Sequence, residues 1–111
     1  MLFRSHGKQQ FTVSQHNMGA ILGHSDTCDI AIHDESASNR HARVEFHRGK
    51  FVASDRSDKG TYIRFGDGDT LHIVREDIVL HGSGAISLGR PFSDDAAAII
   101  EFSIHLVPAP A

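Results

Sequence analysis

Long apolar runs, paired cysteines and an excess of basic charge are all missing from this chain. No stretch approaches the roughly 20 apolar residues of a membrane-spanning helix, so no membrane partner is expected. The N-terminus lacks the basic, apolar, small-residue order of a secretory signal. The one cysteine, Cys28, excludes an internal disulfide and fits a reducing compartment, which makes a cytoplasmic location the expectation. Lysine and arginine number 11 against 14 acidic residues, and the resulting formal charge of −3 (11 minus 14) lacks the basic footprint of a nucleic-acid binder. Any anion site must therefore be local.

Catalytic signatures are missing as well. The chain has no His-Glu-x-x-His, paired Cys-x-x-Cys, Gly-x-Ser-x-Gly or Gly-Lys-Ser/Thr run, so no enzyme, cofactor or metal is expected. Asp67 and Asp69 begin a calcium-loop spacing, but His72 stands where that loop needs glycine and Ile78 where it needs glutamate. Nine histidines are many for this length. His33, His47, His72, His81 and His105 fall on outward strand parity or in loops, which reads as a wet surface rather than a metal site. Cys28 reads as a small buried filler.

What is present is alternation. Short runs of period two recur from end to end, separated by Gly, Asp and Ser, and no window keeps the helical spacing i, i+3, i+4, i+7. Leu2 to Arg4 and Gln10 to Val13 predict a hairpin around Gly7-Lys8, followed by Ala20 to Leu22 and a short strand at Ile30 and Ile32. Ala42, Val44 and Phe46 alternate with polar residues, and Arg48-Gly49 supplies a tight turn into Phe51, Val52 and Ala53. Thr61, Ile63 and Phe65 precede a turn at Gly66-Asp67-Gly68-Asp69, then Leu71, Ile73 and Val74, Ile78 to Leu80, and Ile86 and Leu88. Ile100, Phe102, Ile104 and Leu106 form the last strand, which Val107-Pro108-Ala109-Pro110-Ala111 cannot continue because proline lacks the ladder donor. The 111 residues make one domain, expected over 1–107, with 108–111 a tail or linker. About ten short strands at this spacing predict an all-β, two-sheet sandwich.

The functional stretch runs from Asp34 to Val44, where hydroxyls and bases (Ser36, Ser38, Asn39, Arg40, His41) lead straight into an alternating strand. Donors gathered at a strand mouth suit an anion with several acceptor oxygens, above all a phosphate. With Gly23-His24 before it and Ser57-Asp58-Lys59-Gly60-Thr61-Tyr62 after it, the chain resembles a forkhead-associated (FHA) domain, whose pattern is Gly-Arg, Ser-x-x-His and Ser-x-Asn-Gly-Thr-Tyr. The resemblance implies a sandwich of about 11 short strands, with ligand loops at one end, that binds phosphothreonine peptides. It also implies that Ser38 contacts the phosphate, with Arg40 as a second donor, Asn39 where relatives often carry a base, and Ser57 a further hydroxyl within reach. It makes His41 structural, a ring able to bond backbone on both sides of the loop. Gly23 supports the site and Gly60 supplies the positive φ of its turn.

Two positions depart from the pattern. His24 stands where the family carries arginine, and an imidazole is mostly neutral at pH 7, so the charge-assisted part of that bond, roughly 1.5 to 3 kcal/mol, is mostly absent. His24 is therefore either a titratable replacement or a solvated turn residue. Lys59 replaces an asparagine that bonds peptide backbone in the family, and ammonium donates without accepting. Finally, Arg75-Glu76, Leu80-His81-Gly82-Ser83-Gly84-Ala85-Ile86-Ser87-Leu88-Gly89 and Ile100-Glu101-Phe102 make the chain similar to FHA domains attached to bacterial nucleotide cyclases. Two functions follow: a phosphothreonine-peptide module with a weakened phosphate site, or a phosphate-independent regulatory domain associated with such a cyclase.

Overall fold

Apolar residues at every second position turn one face of each strand inward, and on that basis eleven strands among the described residues pack as two sheets. The computed structural model describes residues 2–5, 10–12, 19–66, 68–92 and 99–104. One sheet has the order β2 (Gln10–Thr12), β1 (Leu2–Ser5), β11 (Ile99–Ser103), β10 (Ser83–Leu88), β7 (Thr61–Phe65), β8 (Thr70–Ile73). The other runs β4 (Ile30–Ala31), β3 (Gly19–Gly23), β5 (Ala42–His47), β6 (Lys50–Asp55), β9 (Asp77–Leu80). Every pairing is antiparallel except β3 with β4.

Between the sheets lie Phe3, Leu22, Ile30, Val44, Ile63, Ile86, Leu88 and Ile100, all fully buried. Each such side chain contributes about 1.5–3 kcal/mol relative to an exposed one. Register follows from the same alternation: Ala42, Val44 and Phe46 of β5 face Asp55, Ala53 and Phe51 of β6 on the inner side. Arg48 and Gly49 both take positive φ (52° and 80°), the two-residue turn that suits the twist of a hairpin, and His47 pairs with Lys50 across it.

Some expectations shift at the edges. Leu71 shares the face of buried Ile73 yet is 40% exposed, because β8 closes the sheet and no strand covers its outer side; Val74, expected in that strand, lies beyond it and is 42% exposed. The last strand ends at Ser103, and Ile104 turns its N–H to the Gly82 carbonyl at 2.7 Å. Cys28 is half-buried rather than buried. Val13, the turn at Gly7-Lys8, Asp67, and the expectations for His105, Leu106 and the 107–111 tail lie outside the described residues.

Candidate functional site

Sheet register gathers five chain segments at one end of the sandwich. β3 and β4 run parallel and both end there; β5 begins there, opposite the end of β6; β7 begins there, opposite the ends of β8 and β10. The loops after Gly23, after Ala31, after Asp55, after Ile73 and after Leu88 therefore meet without long connections.

The β4–β5 loop is locked onto the end of β3. His24 N–H donates to the Ser38 carbonyl (2.9 Å), Ser25 N–H to that of Asn39 (3.2 Å), and His41 N–H to that of Leu22 (2.9 Å). Gly23 makes this approach possible, since a Cβ there would lie inside the Asn39 carbonyl and against the His41 nitrogen. Asp34 pins the other flank. Its carboxylate accepts the Ser36 N–H (2.9 Å) and pairs with Arg90 (2.9 Å), tying the loop to the chain leaving β10. Cys28 adds a thiol bond to the Asn39 carbonyl (3.0 Å), and burial, the largest influence on it, raises its pKa above the usual thiol value.

Beneath the loop sits His41, fully buried. Its Nδ1 accepts the Ser38 N–H (3.0 Å), so in the neutral ring the proton is on Nε2, which donates to the Gly60 carbonyl (2.7 Å). The ring thus bonds backbone on both sides and sets the Ser38 main chain directly. Desolvation lowers its pKa, against the Gly60 carbonyl and the Asp55 charge, which raise it. A proton on Nδ1 would also face the Ser38 N–H, so geometry and burial both favour the neutral form. Its contact with Asp55 at 3.7 Å is accordingly no ion pair at neutral pH.

Asp55 is the second hub, and the loop motifs do not reveal it. Oδ1 accepts Ser57 (2.7 Å) and Thr61 (2.6 Å) hydroxyls, and Oδ2 accepts the Arg75 N–H (2.8 Å). Burial, the largest single influence, pushes its pKa up, but hydrogen bonds from Thr61, Arg75 and Ser57 and the nearby His41 together hold it below the ordinary value. One signal was available. Phe51, Ala53 and Asp55 share the inward parity of β6, and a carboxylate there must be bonded.

Ser57 was expected near the phosphate and is placed elsewhere. It is 2% exposed; its hydroxyl donates to Asp55 and accepts the Gly60 N–H (2.8 Å), so its proton is directed into the floor and away from any ligand. Gly60 has φ 88°, and a Cβ there would run into the His72 ring. His72, missed in the sequence, donates from Nε2 to the Lys59 carbonyl (3.0 Å) and stacks on Tyr62 with ring centroids 4.1 Å apart, which holds Lys59 at the rim.

The remaining expected residues sit on the surface above this floor. Ser38 is half-buried, and its hydroxyl makes no hydrogen bond to any described residue. Asn39, Arg40 and Lys59 are exposed, with side chains likewise unbonded among the described residues. His24 is half-buried; its Nδ1 donates to the Asp34 carbonyl (3.1 Å), which in the neutral ring leaves a lone pair on Nε2. The structure thus brings Ser38, Asn39, Arg40, His24 and Lys59 to one crest, and His41, Ser57 and Gly60 beneath it. Among the described residues no helix is long and apolar enough to cross a membrane, and no cluster of three metal-ligating side chains occurs.

Comparison with known proteins identifies the family. The FHA domain model matches residues 20–89, more than half of the chain, and the chain belongs to the FHA domain family. Three solved structures share the fold. FHA-1 of Mycobacterium tuberculosis Rv1747 is 17% identical, with a TM-score of 0.65 over 92% of both chains. The N-terminal FHA domain of S. cerevisiae Rad53p, solved with a phosphothreonine peptide, is 16% identical (TM-score 0.64; 90% of this chain, 87% of that one). The FHA domain of human APLF, solved with an XRCC1 bisphospho peptide, is 16% identical (TM-score 0.68; 93% and 97%). Among curated proteins none matches this chain in sequence.

Proposed function

We propose that this domain is a non-catalytic module that binds phosphothreonine peptides through the crest around Ser38. The observation that carries the reading is the Ser38 position: a hydroxyl without a partner among the described residues, on a main chain fixed by the buried His41 ring. In this reading Ser38 Oγ donates to the phosphate, Arg40 adds a permanent cation, Lys59 a point charge from the facing loop, and Asn39 an amide for the peptide backbone. Ser57 takes no part except as a support. His24 weakens the site relative to the family's arginine, because its Nδ1 is taken up by the Asp34 carbonyl and an imidazole lacks the forked donors of a guanidinium. Solved FHA relatives with bound phosphopeptides support the class of ligand.

Ser38→Ala is the direct test. It removes a donor and no core volume, so a phosphothreonine peptide should bind it roughly ten- to a hundredfold more weakly, in proportion to a lost charged bond, with the melting temperature unchanged. Equal binding by Ser38→Ala and wild type sinks the reading.

A second reading is favoured by Lys59 and His24 together: a phosphate-independent interaction domain attached to or associated with a nucleotide cyclase, as the resemblance over 75–102 suggests. It requires that matched phosphorylated and unphosphorylated peptides bind alike, and that the domain alter the activity of a cyclase present in the same polypeptide or complex.

A further inference from the structure

The chain is acidic overall, yet four of its eight arginines (Arg40, Arg43, Arg56 and Arg75) line two hollows that share Arg56. The hollows differ in what balances the charge. The one between Arg56 and Arg75 includes the carboxylates of Asp55 and Asp77, and Arg75 pairs with Asp58 at 3.1 Å. The other, about 250 Å³, is lined by Ile21, Arg40, Ala42, Arg43 and Arg56, with no carboxylate among the described lining residues; Asp29 lies beside it, its Oδ2 accepting the Ile21 N–H (2.7 Å). Of its guanidinium groups, Arg43 alone pairs with an acid, Glu45 at 3.1 Å, and that pair is half exposed and so weakly held. Arg40 and Arg56 make no side-chain hydrogen bond or ion pair to any described residue.

The backbone fixes this hollow relative to the crest. His41 holds Ser38 through its ring (3.0 Å to the Ser38 nitrogen) and holds Arg56 through its own carbonyl, which accepts the Arg56 N–H at 2.8 Å. One buried residue therefore sets the spacing between the proposed phosphate site and the hollow, and Arg40 borders both. Two guanidinium groups without an ion-pair partner among the described residues, in a hollow also lined by the half-buried Ile21, suit an anionic group on a short apolar stem.

Resting on the phosphothreonine reading, we propose that the hollow is a second anion subsite: Arg56, with Arg40, receives a carboxylate or phosphoryl group carried a few residues from the phosphothreonine on the same peptide. Selectivity for doubly anionic segments then comes from Arg56, outside the motif that binds the first phosphate. The two sources share the chemistry of an oxyanion accepting guanidinium bonds, and peptide synthesis separates them.

The test is fluorescence anisotropy on an uncharged peptide frame with one phosphothreonine, scanned with a second anion, glutamate or phosphoserine, at each nearby position. At the best position the second anion should tighten binding roughly tenfold, the size of one charge-assisted bond. Arg56→Gln should abolish that gain and leave the uncharged-frame peptide unaffected; Arg56→Lys should keep part of it. Lys50→Gln, the same charge change at the far hairpin, should keep all of it. A gain with phosphoserine alone assigns a phosphoryl group, and an equal gain with glutamate assigns any oxyanion. Equal binding of uncharged and doubly anionic peptides, or a gain that survives Arg56→Gln, overturns the subsite while the phosphothreonine reading stands. If no phosphothreonine peptide binds, both fall. Thermal melts of each variant confirm the fold, since Arg56 is exposed and its backbone bond is untouched.

Discussion

The floor and the crest of the loop end obey opposite rules. In the floor, His41, Asp55, Ser57, Gly60 and Thr61 bond one another and the strands, and the Gly60 carbonyl alone accepts both the His41 ring and the Gly89 N–H (2.7 and 3.0 Å). On the crest, Ser38, Arg40 and Lys59 point donors outward with no partner among the described residues. Buried polar groups cost free energy unless satisfied, so a floor of this kind tolerates little change, whereas exposed donors can be exchanged cheaply. The two departures from the family pattern, His24 and Lys59, both lie on the crest. Ser38 joins the regions, since its main chain belongs to the floor and its hydroxyl to the crest.

The strongest way to break that contrast is to remove the floor's ring. His41→Ala leaves a cavity and an unbonded Ser38 N–H, and should lower stability by about 2–4 kcal/mol in urea unfolding while also weakening phosphopeptide binding. A loss below about 0.5 kcal/mol, the level of an ordinary surface change, would mean that the ring carries nothing. Acid should act in the same place. Because burial lowers the His41 pKa from 6.5, the unfolded chain binds its proton first; the His41 contribution is whole above about pH 6.5 and is lost as pH falls toward the folded value. Asp55, held below 3.8, adds a second loss, present above 3.8 and forfeited as pH falls through its lower folded value. Unfolding free energies measured downward from pH 8 should begin to fall below about pH 6.5 and again below about 3.8, and His41→Gln, which does not titrate, should lack the upper fall.

On the crest the effect is smaller and appears in binding alone. His24→Arg replaces an imidazole whose Nδ1 is bonded to the Asp34 carbonyl with a permanent forked cation, and should tighten phosphothreonine-peptide binding roughly tenfold, about 1.4 kcal/mol. The measurement is a paired titration of one phosphothreonine peptide against both proteins. Equal affinity would remove His24 from the phosphate site.

This division explains what the residues disclosed in advance. Strand pairing, the Arg48-Gly49 turn and the sandwich were legible because alternation and turn chemistry are local. The grouping of Ser38, His41 and Gly60 was legible through the motif. Asp55 and His72 were not, because their partners lie in other loops and only the register brings them together. Ser57 shows the reverse failure. A serine in a polar turn looks like a surface donor until the fold turns its hydroxyl inward onto Asp55. Nor did Arg56 stand out, since nothing local shows that Arg40 and Arg43 border the same hollow.

The smallest predicted effect bears most finely on where the floor ends. A phosphoserine peptide differs from its phosphothreonine twin by one methyl, whose complete burial is worth about 0.8 kcal/mol, or roughly fourfold in affinity. Ser57, Thr61 and Asp55 of the floor are buried and bonded to one another. The methyl is therefore expected on the crest, against the aliphatic stems of exposed side chains such as Arg40 and Lys59, which would shield it in part. A preference for phosphothreonine between one- and fourfold is expected, read from paired titrations of the two peptides by anisotropy. Equal affinity would leave the crest without an apolar contact. A preference well above fourfold would require a closed niche reaching into the floor, and the separation of a sealed support from an open binding surface would fail.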